Sequence, residues 1–381
     1  MTGCQKSFAG WIVVAWFGAS AGCSLPAPAG EVVWTGTQTV DRVVRFEHGQ
    51  NLVLRPGTRV EFVGTGRIAV RDANFRASGA ELVATTVLTN AYRVQVENGI
   101  LTMTGCTIRG LRTHEPVKGY CYFIGSLCGR IGGGRLAGNT FVDSSPIAYV
   151  NASGVEVTRN VFVRPQAGGA YLFNSTDCRV ADNAFFDSLA EALQLNGTYL
   201  TEVACNRFTD CEKGIRAAGI RKCRIVGNSF FGGSAGVDIW WDGPGNLYLA
   251  NLFEGLSSQA VSGHEALGDG IVFANNLVVR CGNGFLFPAI PEGRRMTVRN
   301  NGFAFVGLAL RLDGGALDAL GNAVWKSKYG CQGRNGAKLT TPGLVKDDPR
   351  FVSSVRCDWR LKDGSPWRRD EAAGGSVGFF W

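Results

Sequence analysis

Val155-Glu156-Val157-Thr158-Arg159-Asn160-Val161-Phe162 is followed by Cys178-Arg179-Val180-Ala181-Asp182-Asn183-Ala184-Phe185 and then by Thr201-Glu202-Val203-Ala204-Cys205-Asn206-Arg207-Phe208. Each stretch carries a valine three residues before an asparagine and a phenylalanine two residues after it. Working outward, Asn-x-Phe recurs at Asn139-Thr140-Phe141, Asn228-Ser229-Phe230 and Asn251-Leu252-Phe253. It continues more loosely at Asn276, Asn301-Gly302-Phe303 and Asn322. Successive asparagines from Asn139 are separated by 21, 23, 23, 22, 23, 25, 25 and 21 residues. Cys106-Thr107-Ile108 reads as an earlier member, with an insertion before Asn139. A near-constant period of this length is the sequence signature of stacked repeats.

Other columns keep the register. Val157, Val180, Val203, Ile225, Tyr248, Phe273 and Val298 stand three before their asparagines, and Val155, Cys178, Thr201, Cys223, Asn246, Ile271 and Met296 stand five before. Mostly apolar residues two apart predict a strand with one buried face. A second strand follows the asparagine turn, at Gly214-Ile215, Gly236-Val237, Gly284-Phe285 and Gly307-Leu308. One such coil cannot bury its own apolar face, so coils stack about 4.8 Å apart and pair their backbones in parallel. Like residues then lie above one another, and asparagines at a turn can hydrogen-bond along the axis. Leucine-rich repeats need a consensus that is absent, and propeller blades need about twice the period.

These residues resemble the right-handed parallel β-helix, or pectate-lyase-like, superfamily, over roughly residues 45 to 380. Gly49-Gln50-Asn51-Leu52-Val53-Leu54-Arg55-Pro56-Gly57-Thr58 looks like the first coils of such proteins. Asp348-Pro349-Arg350-Phe351, Asp358-Trp359-Arg360-Leu361 and Gly364-Ser365-Pro366 look like a C-terminal segment of secreted members. The resemblance implies an all-β, single-stranded right-handed parallel β-helix solenoid with capped ends. The solenoid is expected over 45–345 with an insertion at 112–134. A tether and N-terminal cap are expected at 24–44 and a C-terminal cap segment at 346–381. The superfamily holds lyases, hydrolases, epimerases, esterases and non-enzymes, so the likeness is specific for fold and weak for activity. The Asn-Thr-Asp, Asp-Asp, Gly-His-Gly and Arg-Ile-Lys series of pectin hydrolases does not appear in order here. The Asp-Pro-His-Asp motif of alginate epimerases and the paired glutamines and aspartates of pectin esterases are also missing.

Composition agrees with many turns and short strands. Glycine contributes 53 of 381 residues, about twice the usual share of ~7%, with no collagen period. The net charge of +8 is scattered over the chain. That favours acidic partners such as uronic-acid polymers over nucleic acid, for which no recognition motif is present. Lys6 precedes the apolar stretch Trp11 to Ala21, shorter than the ~20 residues of a membrane span and proportioned like a secretory signal. Ser20-Ala21-Gly22-Cys23 then resembles a bacterial lipoprotein processing site. This predicts a signal peptide over 1–23, lipidation of Cys23, and an exported protein of the cell envelope, anchored to a membrane or secreted.

Of the 12 cysteines, Cys106, Cys178, Cys211, Cys223 and Cys281 read as core fillers. Cys121 with Cys128, and Cys331 with Cys357, read as disulfide pairs in an exported protein. No zinc site is expected, since there is no CxxC and only three histidines are present.

Outward positions of the strand after the asparagine turn carry the candidate chemistry. Gln194, Arg216 and Asp238 fall one coil apart, and Trp240, Trp241, Asp242, His264 and Glu265 lie close by. Arg216, Asp238 and Asp242 are the candidate catalytic groups, with Gln194, Trp240, Trp241, His264 and Glu265 binding substrate. Tryptophan faces suit pyranose rings. Carboxylates suit acid–base work on a glycosidic bond, and an arginine suits the enolate-like charge of a uronate lyase. No cofactor is required; Ca²⁺ held by Asp238 and Asp242 is a possible addition. The expected partner is an acidic polysaccharide that the protein binds; if it is an enzyme, the chemistry expected is that of a polysaccharide lyase or a glycoside hydrolase. The alternative is a non-catalytic cell-surface or adhesive scaffold.

Overall fold

The computed structural model describes residues 30–368, apart from 87, 90–92, 112, 115–126, 129–132 and 266. No described residue is helical. Sheets of twelve and thirteen strands run from the first coils onward. A third, of ten strands, begins at Leu127–Cys128 after a separate three-stranded sheet in the first coils, and the members of each follow one another coil by coil. A representative coil contributes Arg224–Val226 to the first sheet, Ser229–Phe231 to the second and Ala235–Trp240 to the third. The ladders are parallel and in the predicted register: Ile225 lies between Val203 and Tyr248, Phe230 between Phe208 and Phe253, and Asp238 between Arg216 and Ser262. Parallel crossovers take the right-handed sense. The molecule is a right-handed parallel β-helix.

Two columns hold the coils together. Val157, Val180, Val203, Ile225, Tyr248, Phe273 and Val298 are all buried. Beside them Phe141, Phe162, Phe185, Phe208, Phe230 and Phe253 form one stack, with neighbouring centroids 4.6 to 4.9 Å apart and rings within 7° of parallel. That separation is the strand spacing itself. The rings press so closely on the following strand that a Cβ at Gly214 would come within 2.5 Å of Phe230, and one at Gly236 within 2.5 Å of Phe253. Glycine at these strand starts leaves room for a ring.

The asparagines form the predicted ladder. From Asn139 to Asn322 each side-chain amide nitrogen donates to the oxygen of the next asparagine, at 2.9 to 3.1 Å. That oxygen also accepts the backbone N–H of the preceding asparagine, as with Asn183 N to Asn206 Oδ1 at 3.0 Å. The amide's second hydrogen goes to a carbonyl one coil back, such as Val180 O from Asn206 at 2.8 Å. Fully buried amides are therefore fully satisfied, the condition for burying them without loss. On the outside of the first sheet Arg135, Glu156, Arg179, Glu202 and Arg224 alternate in sign along one row. Ion pairs of 3.6, 3.5 and 3.9 Å join Arg135 to Glu156, Arg179 to Glu202 and Arg224 to Glu202.

Several boundaries differ from those expected. Gly30–Trp34 and Thr37–Val40 already pair with Gln50–Leu54 and Arg59–Phe62, so the ladder begins before residue 45. Thr37-Gln38-Thr39-Val40 lacks the asparagine marker by which later coils are recognised. The described part of the C-terminal segment lies along the side of the stack. Phe351, Trp359, Leu361 and Trp367 bury themselves against Leu252, Leu277, Val279, Ala304 and Ala323 on the outer side of the second sheet. Outward apolar residues on those coils require a cover. Most of the 112–134 insertion lies outside the described residues, but Thr113–His114, Leu127–Cys128 and Gly134–Ala137 pair within ladders. Cys331 and Cys357 are free thiols. Cys331 lies on the third sheet opposite Leu310, whereas Cys357 is an exposed residue of the C-terminal segment that accepts a hydrogen bond from Arg280, so that disulfide does not form. Cys106, Cys178, Cys211, Cys223 and Cys281 are buried as expected. Cys121 and residues 1–23, where a signal segment ending at Cys23 is expected, lie outside the described residues, as does the side chain of Cys128.

Candidate functional site

Strands of the third sheet lengthen from four residues at Ala170–Phe173 to six at Glu191–Asn196, Lys213–Ala218 and Ala235–Trp240. Val237 and Ile239 fill the core, so alternation turns Asp238 and Trp240 outward. Asp238 is nevertheless only 1% exposed, because its neighbours close over it. Lys213 Nζ lies 2.7 Å from Oδ2, the Trp240 indole N–H donates to the same oxygen at 3.0 Å, and Ser262 Oγ donates to Oδ1 at 2.8 Å. His264 Nε2 completes the set on Oδ1. Burial by itself would raise the Asp238 carboxyl. Hydrogen bonds from Lys213, Trp240 and Ser262, with the Lys213 charge, outweigh it and hold the pKa at about 2. Asp238 is a fixed anion at any physiological pH.

Trp240 is the centre of an aromatic and cationic layer. His264 stacks on it with centroids 4.4 Å apart and rings 23° from parallel, and the Arg216 guanidinium sits 5.3 Å from its ring centroid. Arg216 is tied to Glu191 at 3.4 Å, and Glu191 lies 3.8 Å from Lys213. Arg216 Nε is buried without a hydrogen-bond partner among the described residues. Trp241 is 55% exposed and its backbone has φ +48°. A bulky residue in the left-handed region is uncommon and costs about 1 kcal/mol or more. The same turn in the two preceding coils is made by Gly197 and Gly219, which leaves bare backbone next to the exposed indole.

The structure thus brings Arg216, Asp238, Trp240, Trp241 and His264 together, and Gln194 lies beside Arg216 on the next strand. Asp242 belongs elsewhere. The left-handed turn at Trp241 reverses the alternation and sends Asp242 inward, where it is 3% exposed. Tyr248 Oη donates to its Oδ2 at 2.8 Å, and Asn246 Nδ2 bonds Oδ1. Burial pushes its pKa up to about 8. Asp238 and Asp242 therefore do not share an ion. Among the described residues no cluster of histidine, cysteine, aspartate or glutamate is arranged for a metal. Glu265 is exposed and makes no ion pair with this cluster among the described residues.

Lys213 and Glu191 were not singled out by the sequence. They lie three residues before Arg216 and Gln194, at the bend into the strand and outside the columns that alternation marks. Chemically, Ser262, His264 and Asp238 do not form a nucleophilic relay. Ser262 Oγ and His264 Nε2 both meet the same Asp238 oxygen, whereas a relay uses both nitrogens of the histidine. With Nε2 held by an anion, Nδ1 is the nitrogen left to accept a proton.

Residues 87–253 match the family model described as the right handed beta helix region. This chain is a right-handed β-helix protein. No curated protein matches it. Solved structures similar to this β-helix protein include a mutant of the periplasmic alginate epimerase AlgG, at 11% identity and TM-score 0.45, covering 79% of this chain and 78% of that one. A surface adhesin of Streptococcus pneumoniae, PfbA, is similar at 13% identity and TM-score 0.43, covering 83% of this chain and 85% of the other. A mannuronic acid specific polysaccharide family 6 lyase from human gut microbiota gives 14% and 0.47, over 85% and 82%. The likeness is one of fold.

Proposed function

We propose that this β-helix protein is exported, anchored through Cys23, and binds an acidic polysaccharide on the outer face of its third sheet. The observation that supports this best is the layer around Trp240: an indole flanked by Arg216 and His264, with the exposed Trp241 next to bare glycine backbone. Indole faces take the C–H faces of pyranose rings, and Arg216 and Lys213 supply cations for carboxylates. Gln194 and Glu265 lie at the margins of this surface, and Asp238 serves to hold Lys213, Trp240 and His264 in place.

The same residues suit β-elimination. The proton next to the uronate carboxylate would pass to His264 Nδ1, its electron pair would form the new C=C bond, and the C–O bond to the leaving sugar would break. The departing oxygen would take a proton from water. Arg216 would stabilise the charge that develops on the carboxylate. We expect a panel of uronate polymers to retain the protein in affinity gels, with unsaturated product appearing in the ultraviolet. Arg216→Ala should weaken retention at least tenfold, and His264→Ala should abolish product while leaving most retention. Retention without product would remove the elimination chemistry and favour a non-catalytic surface scaffold. No retention on any polymer would remove the carbohydrate reading altogether.

A further inference from the structure

The outer side of the second sheet is apolar well beyond the part that the C-terminal segment covers. The buried cluster under Phe351, Trp359, Leu361 and Trp367 begins at Leu252, and Phe231 is the outermost side chain packed against it. One coil further toward the N-terminus stand Arg207 and Thr209, then Ala184 and Phe186, then Val161 and Val163, all in register. Val161, Val163, Ala184 and Phe186 are half-buried outward residues of consecutive coils. A contiguous patch of this kind on a sheet face marks a docking surface. Arg207 separates it from the covered half and lies over Phe231, 4.2 Å from the ring centroid.

The chain itself holds a segment of matching chemistry. Arg368 is the last described residue of the cover, and residues 369–381 follow it as Arg369-Asp370-Glu371-Ala372-Ala373-Gly374-Gly375-Ser376-Val377-Gly378-Phe379-Phe380-Trp381. Acidic residues come first, small residues next, and three aromatics at the far end. Trp367 sits against Gly302. From Gly302 the row runs back through Leu277, Leu252, Ser229 and Arg207 to Ala184, which is about 24 Å at ~4.8 Å per coil. Thirteen extended residues reach roughly 43 Å at about 3.3 Å each.

We propose that residues 369–381 continue the cover along the second sheet, seating Phe379, Phe380 and Trp381 on Val161, Val163, Ala184 and Phe186. The occupant of the patch is this chain's own C-terminal segment, held by an extension of an interface that already exists.

Limited trypsinolysis of the full chain tests this, following cleavage after Arg369 by mass spectrometry. Cleavage should be at least tenfold faster in Phe186→Ser, and equally faster in the tail variant Phe379→Ser/Phe380→Ser/Trp381→Ser, which leaves the coils untouched. A chain ending at Arg368 should bind a hydrophobic dye several-fold more strongly than the full chain. Equal cleavage in wild type and tail variant would overturn the proposal. So would a wild-type dimer that Phe186→Ser dissociates, since a second copy would then be the occupant.

Discussion

Asp242 shows how one side chain can carry a pH dependence for a whole coil. Its native pKa of about 8 stands above the ordinary carboxyl value of 3.8, so the folded state keeps a proton that the unfolded chain has lost. The stability that comes from this group is complete below the unfolded value, declines as pH rises, and is gone above about 8. Asp242→Asn mimics the protonated acid: its amide can donate to Tyr248 and accept from Asn246. Denaturant titrations should find the variant similar to wild type near pH 4 and more stable at pH 8.5, by on the order of 4 kcal/mol. A variant with unchanged pH dependence would show that Asp242 is ionised in the fold. Trp241 lies next to it, at a left-handed turn where the preceding coils use glycine. Trp241→Gly should match or exceed wild-type stability, by up to about 1 kcal/mol, while losing polysaccharide retention. Loss of stability together with retention would mean that the indole packs the fold and does not serve a ligand.

At the scale of the coil, the asparagine and phenylalanine columns were legible because each uses one residue type at one place in every repeat. The physical constraint behind them, identical surroundings one strand spacing apart, acts on the sequence directly. Asn206 accepts two hydrogen bonds from Asn183 and donates to Val180 O and Asn228 Oδ1. Asn206→Leu should cost about 3 kcal/mol or more, because buried partners lose their bonds and stay buried. Asn322, which lies at the end of the ladder and accepts from Asn301, should be less costly to replace; equal effects in denaturant unfolding would contradict a cooperative column. The candidate site was only half legible. Arg216, Asp238, Trp240 and His264 follow from alternation and the period. Lys213 and Glu191 do not, because they sit at a bend where alternation stops. Asp242 was misplaced for the same reason, since the turn at Trp241 redirects it. The C-terminal cover was visible as a segment, but not its position: tryptophans in a tail do not say whether they close an end or cover a side.

For the molecule as a whole, stability is a sum over neighbouring coils, so whole coils should be removable and part-coils should not. Deleting Asn160–Asp182 would bring Asn183 next to Asn139, and Phe185 onto Phe141. That protein should still unfold cooperatively with a strand-type circular dichroism spectrum. Deleting only Asn160–Ala170 should abolish the transition. The one-coil deletion also removes Arg179 and sets Glu156 against Glu202, so it should be destabilised by up to about 1 kcal/mol relative to a version carrying Glu156→Gln. Finding no cooperative transition in either deletion would argue against independent coil-to-coil energetics.

The asparagine ladder has a direction. Every amide points its nitrogen toward the C-terminal neighbour and its oxygen back, so the dipoles add and each bond polarises the next. Turning one amide around would set nitrogen against nitrogen on one side and oxygen against oxygen on the other. Both faults vanish only when that same amide turns back, so each asparagine is held in one orientation by its two neighbours. The protein therefore carries a built-in arrow, running from Asn139 toward Asn322 inside the stack.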